Sequence, residues 1–186
     1  MSKKVLVVVD VQNDFMKGGA LAYGYPQKDI VEEIARYVKE FSAQGGIVLA
    51  TRDTHDEDYL ESFEGKRLPV KHCIRSTDGW QLVEALKELE RKGEITVFDK
   101  PTFGSVGLID YLLYNIDGGL LCDDEIHIIG FCTSICIAAN CSLIRTYFPN
   151  IPIILHQNLC GDINEESHKA ALAVLRNQQI EVKDAE

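Results

Sequence analysis

The chain has 186 residues, of which 46% are hydrophobic, and its 29 acidic and 19 basic side chains give a formal net charge of −10. This length and balance are typical of a globular protein with a substantial core and argue against intrinsic disorder. Because no Lys/Arg-rich block is present to offset phosphate charge, neither nucleic acid nor an anionic membrane is expected as a partner.

Apolar runs alternate along the chain with segments of helical periodicity. Residues 5–9 form a β-branched run that ends in an acid, which is typical of a strand buried on both faces. Residues 29–44 have apolar side chains at helical spacing and end at Gly45-Gly46, a helix stop. In chain order the sequence predicts strands at 5–9, 47–51, 95–98, 126–129, 151–155 and 180–182, with helices at 29–44, 80–92, 134–147 and 165–177; residues 104–107 are interpreted as a loop and helix start.

Strands that alternate with helices at this spacing pair in parallel through right-handed crossovers. The predicted fold is therefore α/β, a three-layer sandwich around a six-stranded, mainly parallel sheet, in a single domain over residues 1–186. Ligands of such sheets bind just beyond the carboxyl ends of the strands. The irregular stretch 53–79 is longer than an ordinary connection, which predicts a functional loop or a partly helical segment.

The cysteines and apolar runs indicate a cytoplasmic protein. No apolar run approaches the roughly 18 residues that span a bilayer, and the first run is too short for a signal-peptide core. Six cysteines would allow three disulfides in a secreted protein, but a chain of this size has no need of them. We therefore expect free thiols.

Three chemically capable side chains follow predicted strands. Asp10 ends the first strand, Lys100 follows the third, and Cys136 lies in the first turn of the helix after the fourth. The positive end of that helix and a nearby ammonium would both lower the pKa of the thiol. A carboxylate could take its proton and later deliver it to a leaving group, so the three side chains could form a nucleophilic triad.

Backbone N–H groups of Cys132 and Cys136 are placed to hold the oxyanion of a tetrahedral intermediate. Each triad residue also fits a plainer role, as a capping aspartate, a solvated loop lysine or a buried structural cysteine. A reversible disulfide between Cys132 and Cys136 is a further alternative. Composition and spacing alone leave these alternatives open.

Three segments resemble the signature segments of the isochorismatase-like cysteine hydrolases, in the same order: DVQNDF at 10–15, DKPTFGS at 99–105 and GFCTSICIAAN at 130–140. The resemblance implies that Asp10, Lys100 and Cys136 form the family's Asp-Lys-Cys triad. It also implies a cis peptide between Phe131 and Cys132. Because relatives that cleave a vinyl ether lack the nucleophilic cysteine, Cys136 favours amide hydrolysis.

The acidic and histidine-containing stretch 53–79 offers ligands that suit zinc, manganese or iron. On composition alone, solvated acids with a hydrogen-bonded histidine are the more common arrangement. The stretch also resembles the Glu-containing loop with which nicotinamidases of this superfamily bind a divalent metal. That resemblance implies a ligand set of Asp53, His55, Glu64 and His72, with Glu61 as the rival to Glu64.

By the same resemblance, the metal holds the ring nitrogen of nicotinamide between walls formed by Phe15, Leu68 and Phe103. Ser134 departs from the family pattern, since many relatives have aspartate there. The resemblance further implies a role in NAD salvage and a homo-oligomer. The predicted function is a metal-containing amidohydrolase that converts nicotinamide to nicotinate and ammonia through a thioester. The alternatives are a related cysteine hydrolase acting on a carbamoyl, ureido or other small amide, and a non-catalytic thiol-sensing binding module.

Overall fold

A computed structural model describes residues 2–185 and contains one six-stranded sheet with every neighbouring pair of strands parallel. The order across the sheet is β3-β2-β1-β4-β5-β6. The prediction of a six-stranded parallel sheet between helical layers is confirmed. The strands are β1 (Lys4–Val9), β2 (Ile47–Asp53), β3 (Thr96–Lys100), β4 (Glu125–Phe131), β5 (Ile153–Gly161) and β6 (Glu181–Lys183).

In the described part of the chain, five α-helices cover the two faces of this sheet: α1 (Val31–Ala43), α2 (Glu84–Arg91), α3 (Val106–Tyr114), α4 (Ala138–Tyr147) and α5 (Glu165–Asn177). The sequence predicts four of them and only the start of α3. The helix α3 is apolar around most of its surface, so its sequence carries a weak periodic signal. The Ser105 hydroxyl caps it by accepting the Leu108 N–H at 3.2 Å.

Alternate residues of the central strand serve different layers. Leu6 and Val8 of β1 pack in the layer with α1 and α2, whereas Val5, Val7 and Val9 pack in the layer with α3, α4 and α5. All five side chains are fully buried. The continuous apolar run that predicted a doubly covered strand therefore has the expected cause.

The carboxyl ends of β1 and β4 meet at the point where the strand order reverses. The chain moves from β1 outward to β3, then returns to place β4 on the other side of β1. Gly130 near the end of β4 has φ +120°, and a Cβ there would lie 2.1 Å from the Val9 carbonyl oxygen. Only glycine permits this close approach, which brings the segments after the two strands together.

The long stretch 53–79 is mostly irregular and contains one short 3₁₀ turn, Tyr59–Glu61. An isolated bridge between His55 and Ile74 folds it back on itself. The six cysteines are free thiols, as expected. Within residues 2–185, none of the helices has the length and apolar character needed to cross a bilayer.

Two histidines form a buried pair between the sheet and α1. His127 Nδ1 lies 2.9 Å from His156 Nε2, which also lies 2.9 Å from the Tyr37 hydroxyl. Burial, His127 and Lys183 lower the pKa of His156 to about 4, and burial also lowers that of His127. The folded protein therefore favours neutral imidazoles at this position.

Because the pKa of His156 is lowered in the folded protein, we expect the free energy of unfolding to decrease in acid. An unfolded histidine has a pKa of about 6.5, so between about pH 6.5 and about pH 4 the unfolded chain binds more protons and stability falls as the pH falls. A His156→Gln variant should lose less free energy of unfolding across this window than the wild type, by up to about 1.4 kcal/mol per pKa unit. Urea unfolding at several pH values measures this difference.

The control is Val38→Ala, which removes buried apolar volume from α1 but leaves both imidazoles and the Tyr37 hydroxyl in place. This variant should be less stable at every pH and keep the wild-type slope. Parallel stability curves for His156→Gln and the wild type would contradict the assignment.

Candidate active site

One buried ammonium connects the predicted catalytic residues. Lys100 Nζ lies 2.8 Å from Asp10 Oδ2, 3.5 Å from Cys136 Sγ and 3.2 Å from Asp53 Oδ1. Lys100 is only 1% exposed, and the other three side chains are also buried. These residues come from the ends of β1, β2 and β3 and from the segment after β4, so the sheet brings the predicted triad together.

The Asp10 carboxylate has two different environments. Its Oδ1 accepts the Thr51 hydroxyl at 2.7 Å. Its Oδ2 forms the ion pair with Lys100 but accepts no well-directed hydrogen bond, so it remains available to Cys136. Burial raises the pKa of Asp10, although Lys100 acts in the opposite direction. A carboxylate with a raised proton affinity is suited to the role of general base.

Cys136 lies in a single π-helical turn, Thr133–Ile137, that runs directly into α4. Burial and the neighbouring Asp10 raise its pKa, although Lys100 lowers it. The expectation of a lowered pKa was wrong, because desolvation of the thiolate and the nearby carboxylate outweigh the ammonium. The resting thiol therefore keeps its proton, and Asp10 is the adjacent acceptor.

The charge of Lys100 is secured by its partners. Burial opposes the ammonium, but the carboxylates of Asp10 and Asp53 outweigh it and raise the pKa of Lys100. The lysine therefore carries its positive charge at neutral pH. It can stabilise negative charge whether that charge is on the carboxylate or on the thiolate.

The peptide bond between Phe131 and Cys132 is cis, as the sequence predicts. The Cys132 carbonyl accepts the N–H groups of Ile135 and Ile137, both at 3.1 Å. This carbonyl is therefore bound to the turn that carries Cys136. The use of the Cys132 and Cys136 amides as an oxyanion hole stays a prediction.

The backbone at the end of β5 and the side chain of Asp162, the next residue, hold the same turn from the other side. The Thr133 hydroxyl donates to the Gly161 carbonyl at 3.1 Å. The Ser134 N–H and hydroxyl each donate to Asp162 at 2.8 Å. Ser134 is the position that departs from the family pattern, and here it supplies a hydroxyl donor to a buried carboxylate.

Three of the predicted metal ligands form a buried cluster. Donor atoms of Asp53, His55 and His72 lie within 4.8 Å of one another. The two Nε2 atoms are 3.1 and 3.4 Å from Asp53 Oδ2. His72 Nδ1 is 2.9 Å from the Val70 carbonyl, so Nδ1 is the donor and, in the neutral imidazole, Nε2 is the nitrogen that presents a lone pair to the cluster. One carboxylate and two oriented imidazoles are a donor set that fits a divalent metal.

The fourth predicted ligand, Glu64, lies outside this cluster. It is half-buried, whereas its rival Glu61 is exposed in the 3₁₀ turn. Burial opposes protonation of His72, but hydrogen bonds with Asp53 and the Val70 carbonyl, the Asp53 charge and, last, the Glu64 carboxylate raise its pKa. Burial and then Glu64 raise the pKa of Tyr59 to about 12. Glu64 is therefore close enough to act electrostatically on the cluster.

The three predicted substrate walls differ in their surroundings. Phe15 is buried, with its ring centroid 6.0 Å from that of His72. Leu68 and Phe103 are 37% and 45% exposed. The Leu68 carbonyl accepts the Tyr59 hydroxyl at 3.0 Å, which ties its backbone to a ring that packs against His72. Phe15 is thus at the cluster, while the other two residues are more open to solvent.

Sequence reasoning missed two buried amides that hold the site. Gln12 and Asn140 are fully buried. Asn140 accepts the Ser105 N–H at 3.0 Å and donates to the Cys136 carbonyl at 2.8 Å. Both amides lie inside the segments that carry the family resemblance, which was the available signal; neither residue type suggests chemistry by itself.

The comparisons with known proteins agree with this geometry. The family described as "Isochorismatase domain" matches residues 4–186. The structure of nicotinamidase PncA from Bacillus subtilis is similar with a TM-score of 0.80 and 26% identity, covering 98% of this chain and 99% of that one. Nicotinamidase 1 of Arabidopsis thaliana is 33% identical over 141 residues, which are 71% of this chain and 56% of that protein. Pyrazinamidase of Pyrococcus horikoshii, solved in complex with zinc, has the same fold, with a TM-score of 0.79, 24% identity and coverage of 98% and 99%.

The central ion pair predicts a large stability effect. A Lys100→Met substitution leaves Asp10 and Asp53 buried without their cation, and breaking a buried pair in this way costs about 3–5 kcal/mol. Adding Asp10→Asn should recover part of that loss, because one of the stranded charges is removed. The free energies of urea unfolding of the two single variants and the double variant measure the coupling.

Lys169→Met is the matched control, because Lys169 forms an exposed ion pair with Glu165 in α5. Its effect on stability should be much smaller. If Lys100→Met were no more destabilising than this control, the buried ammonium would not be the link that holds the site together.

Proposed function

The chain belongs to the isochorismatase family and is an amidohydrolase, and from this premise we propose that it converts nicotinamide to nicotinate and ammonia through a thioester on Cys136. The observation that carries the proposal is the single ammonium of Lys100, which contacts Asp10, Cys136 and Asp53. It joins a nucleophile and its base to a buried cluster of metal-type ligands. The nicotinamidases among the similar proteins support this substrate.

In the first half-reaction Asp10 takes the proton from the Cys136 thiol as the sulfur attacks the amide carbon. A C–S bond forms, and the carbonyl electron pair moves onto oxygen, where the N–H groups of Cys132 and Cys136 hold the charge. When the tetrahedral intermediate collapses, the C–N bond breaks and Asp10 returns the proton to the departing ammonia. Lys100 stabilises the negative charge as it moves between carboxylate and sulfur.

In the second half-reaction Asp10 takes a proton from water, and the resulting hydroxide attacks the thioester carbon. The same amides hold the second oxyanion. The C–S bond then breaks, Asp10 returns its proton to the Cys136 sulfur, and the product leaves as nicotinate after its carboxyl proton passes to solvent. The raised pKa values of Asp10 and Cys136 fit these steps, because each proton moves between neighbouring groups of increased proton affinity.

The buried cluster would hold zinc, or manganese or iron, through Asp53, His55 and His72, with Glu64 as a fourth ligand. When bound, such an ion supplies a Lewis acid that binds the ring nitrogen and orients the amide toward the thiol. The side chains of Phe15, Leu68 and Phe103 would exclude water from the two faces of the ring. The Asp53 carboxylate connects the proposed triad to the metal-type cluster, because its Oδ1 contacts Lys100 and its Oδ2 faces the imidazoles of His55 and His72.

The proposal extends to the setting of the enzyme. A nucleophilic thiol and five further free cysteines require a reducing compartment, which supports a cytoplasmic location. We keep a single domain over residues 1–186 and a homo-oligomer as parts of the proposal. A thiol-sensing role is not favoured by the chemistry of the Cys132 and Cys136 pair, because burial raises the pKa of both thiols.

If the Cys136 thiol is the nucleophile, its removal should abolish hydrolysis. Cys136→Ala should lose ammonia release from nicotinamide by about 10⁴-fold or more, because no other group forms the thioester. Its circular dichroism spectrum and midpoint of urea unfolding should show that it remains folded. The measurement is steady-state ammonia release from nicotinamide, pyrazinamide and a ureido compound.

Cys132→Ala is the matched control, because it removes the neighbouring thiol but keeps its backbone N–H. This variant should retain activity within about tenfold, since the proposed role of Cys132 belongs to the main chain. Full activity in Cys136→Ala would rule out the thioester. Hydrolysis of the ureido compound in preference to both pyridine-type amides would overturn the proposed substrate and leave the nucleophile standing.

A further inference from the structure

The side chain of Gln12 pairs with both backbone polar groups of Asp53. Its Oε1 accepts the Asp53 N–H at 2.7 Å, and its Nε2 donates to the Asp53 carbonyl at 2.8 Å. The same Nε2 donates to the Trp80 carbonyl at 2.9 Å. Because Gln12 is fully buried, water does not compete for these hydrogen bonds.

These bonds extend the sheet at the point where the strands separate. The ladder between β1 and β2 ends at the pair Val9 and Thr51, followed by one bond from Asp10 N–H to the Thr51 carbonyl. On its other side Asp53 still pairs with Lys100 of β3. The amide of Gln12 takes the position that a further residue of β1 would occupy and satisfies the edge of β2 that faces β1.

A second contact from the same short segment reaches the other ligand strand. Asp14 Oδ2 accepts the N–H of Cys73, the residue after His72, at 2.7 Å. The Asp14 N–H donates to the Gly79 carbonyl at 3.0 Å, and a Cβ on Gly79 would lie 2.2 Å from the Asp14 carboxylate. The Asp14 carboxylate therefore contacts the backbone at Cys73 and lies against Gly79, the two ends of the segment 73–79.

We infer that Gln12 and Asp14 are positioning residues that set the separation of Asp53 and His72 and so determine metal affinity at the cluster; the inference rests on the metal of the proposed function. Asp53 ends a strand, whereas His72 belongs to an irregular loop, so the sheet ladder alone does not fix the distance between them. Gln12 binds the backbone of Asp53, and Asp14 binds the backbone N–H of the residue after His72. Neither side chain belongs to the cluster itself.

Gln12→Glu is the most direct test, because it preserves size while replacing the amide donor with a negatively charged acceptor. The new carboxylate would face the carbonyl oxygens of Asp53 and Trp80 and repel both, so the Asp53 backbone must move. Substitution of groups that orient ligands typically lowers metal affinity by about 10–100-fold. We expect that loss in the Zn²⁺ dissociation constant, measured by competition with a chromophoric chelator, and a changed visible spectrum of the Co²⁺-substituted protein.

Gln27→Glu is the matched control, since Gln27 is exposed and donates only to the Gly24 carbonyl. It makes the same change of charge and should leave Zn²⁺ affinity unchanged. Asp14→Ala, at a half-buried position, provides the second variant should Gln12→Glu fail to fold, and it should lose affinity in the same range. Excess Zn²⁺ should restore ammonia release in either folded variant but not in Cys136→Ala.

The outcomes separate this inference from the proposed function. Wild-type Zn²⁺ affinity and an unchanged Co²⁺ spectrum in the folded Gln12 or Asp14 variant would overturn the inference alone. A wild-type protein that binds Zn²⁺ with one ion per chain but releases no ammonia from nicotinamide would overturn the substrate, and the positioning role would stand. A wild-type protein that binds no divalent metal would overturn both the metal and the inference.

Discussion

The site depends on one buried ammonium that must balance two buried carboxylates. Lys100 lies between Asp10 and Asp53 with almost no access to solvent. Such groups are stable only when their geometry is good, because each loses its hydration and must recover that free energy from its partners. Cys136 lies within reach of the same ammonium. The Lys100 side chain therefore holds the proposed base, Asp10, and the cluster carboxylate, Asp53, in place. The same ammonium supplies the positive charge that can stabilise a Cys136 thiolate.

The parallel sheet supplies the geometry that this balance requires. Strand ends hold backbone positions rigidly, and the reversal of strand order places the ends of β1 and β4 side by side. The close approach at Gly130 and the hydrogen bonds of Thr133 and Ser134 then set the turn that carries Cys136. The loop after β2 lacks such a ladder, and its ligand segments depend on side chains from the segment after β1.

Much of the fold could be predicted from the sequence, and so could the proximity of Asp10, Lys100 and Cys136, which the family resemblance singled out. The apolar run at 5–9 predicted a strand covered on both faces. The residues that follow the predicted strands lie close together, as expected at one edge of a parallel sheet. The direction of the Cys136 pKa could not be predicted, because it depends on the depth of burial and on the nearness of Asp10. The contacts of Gln12 and Asn140 could not be predicted for a similar reason, since they reach backbone groups on distant segments, Asp53 and Trp80 for Gln12 and Ser105 for Asn140. The helix α3 was missed beyond its start because an almost wholly apolar helix has little periodicity.

The proposed reaction passes through an acyl group on the Cys136 thiol, and rapid acid quenching detects this intermediate. The enzyme is mixed with excess nicotinamide, quenched during turnover, digested and examined by mass spectrometry. We expect a nicotinoyl group on the peptide that contains Cys136, absent from Cys136→Ala and present in Cys132→Ala, and released by hydroxylamine as the hydroxamate expected of a thioester. Ammonia release by Cys136→Ala at the wild-type rate, or an acyl group on any other residue, would contradict it.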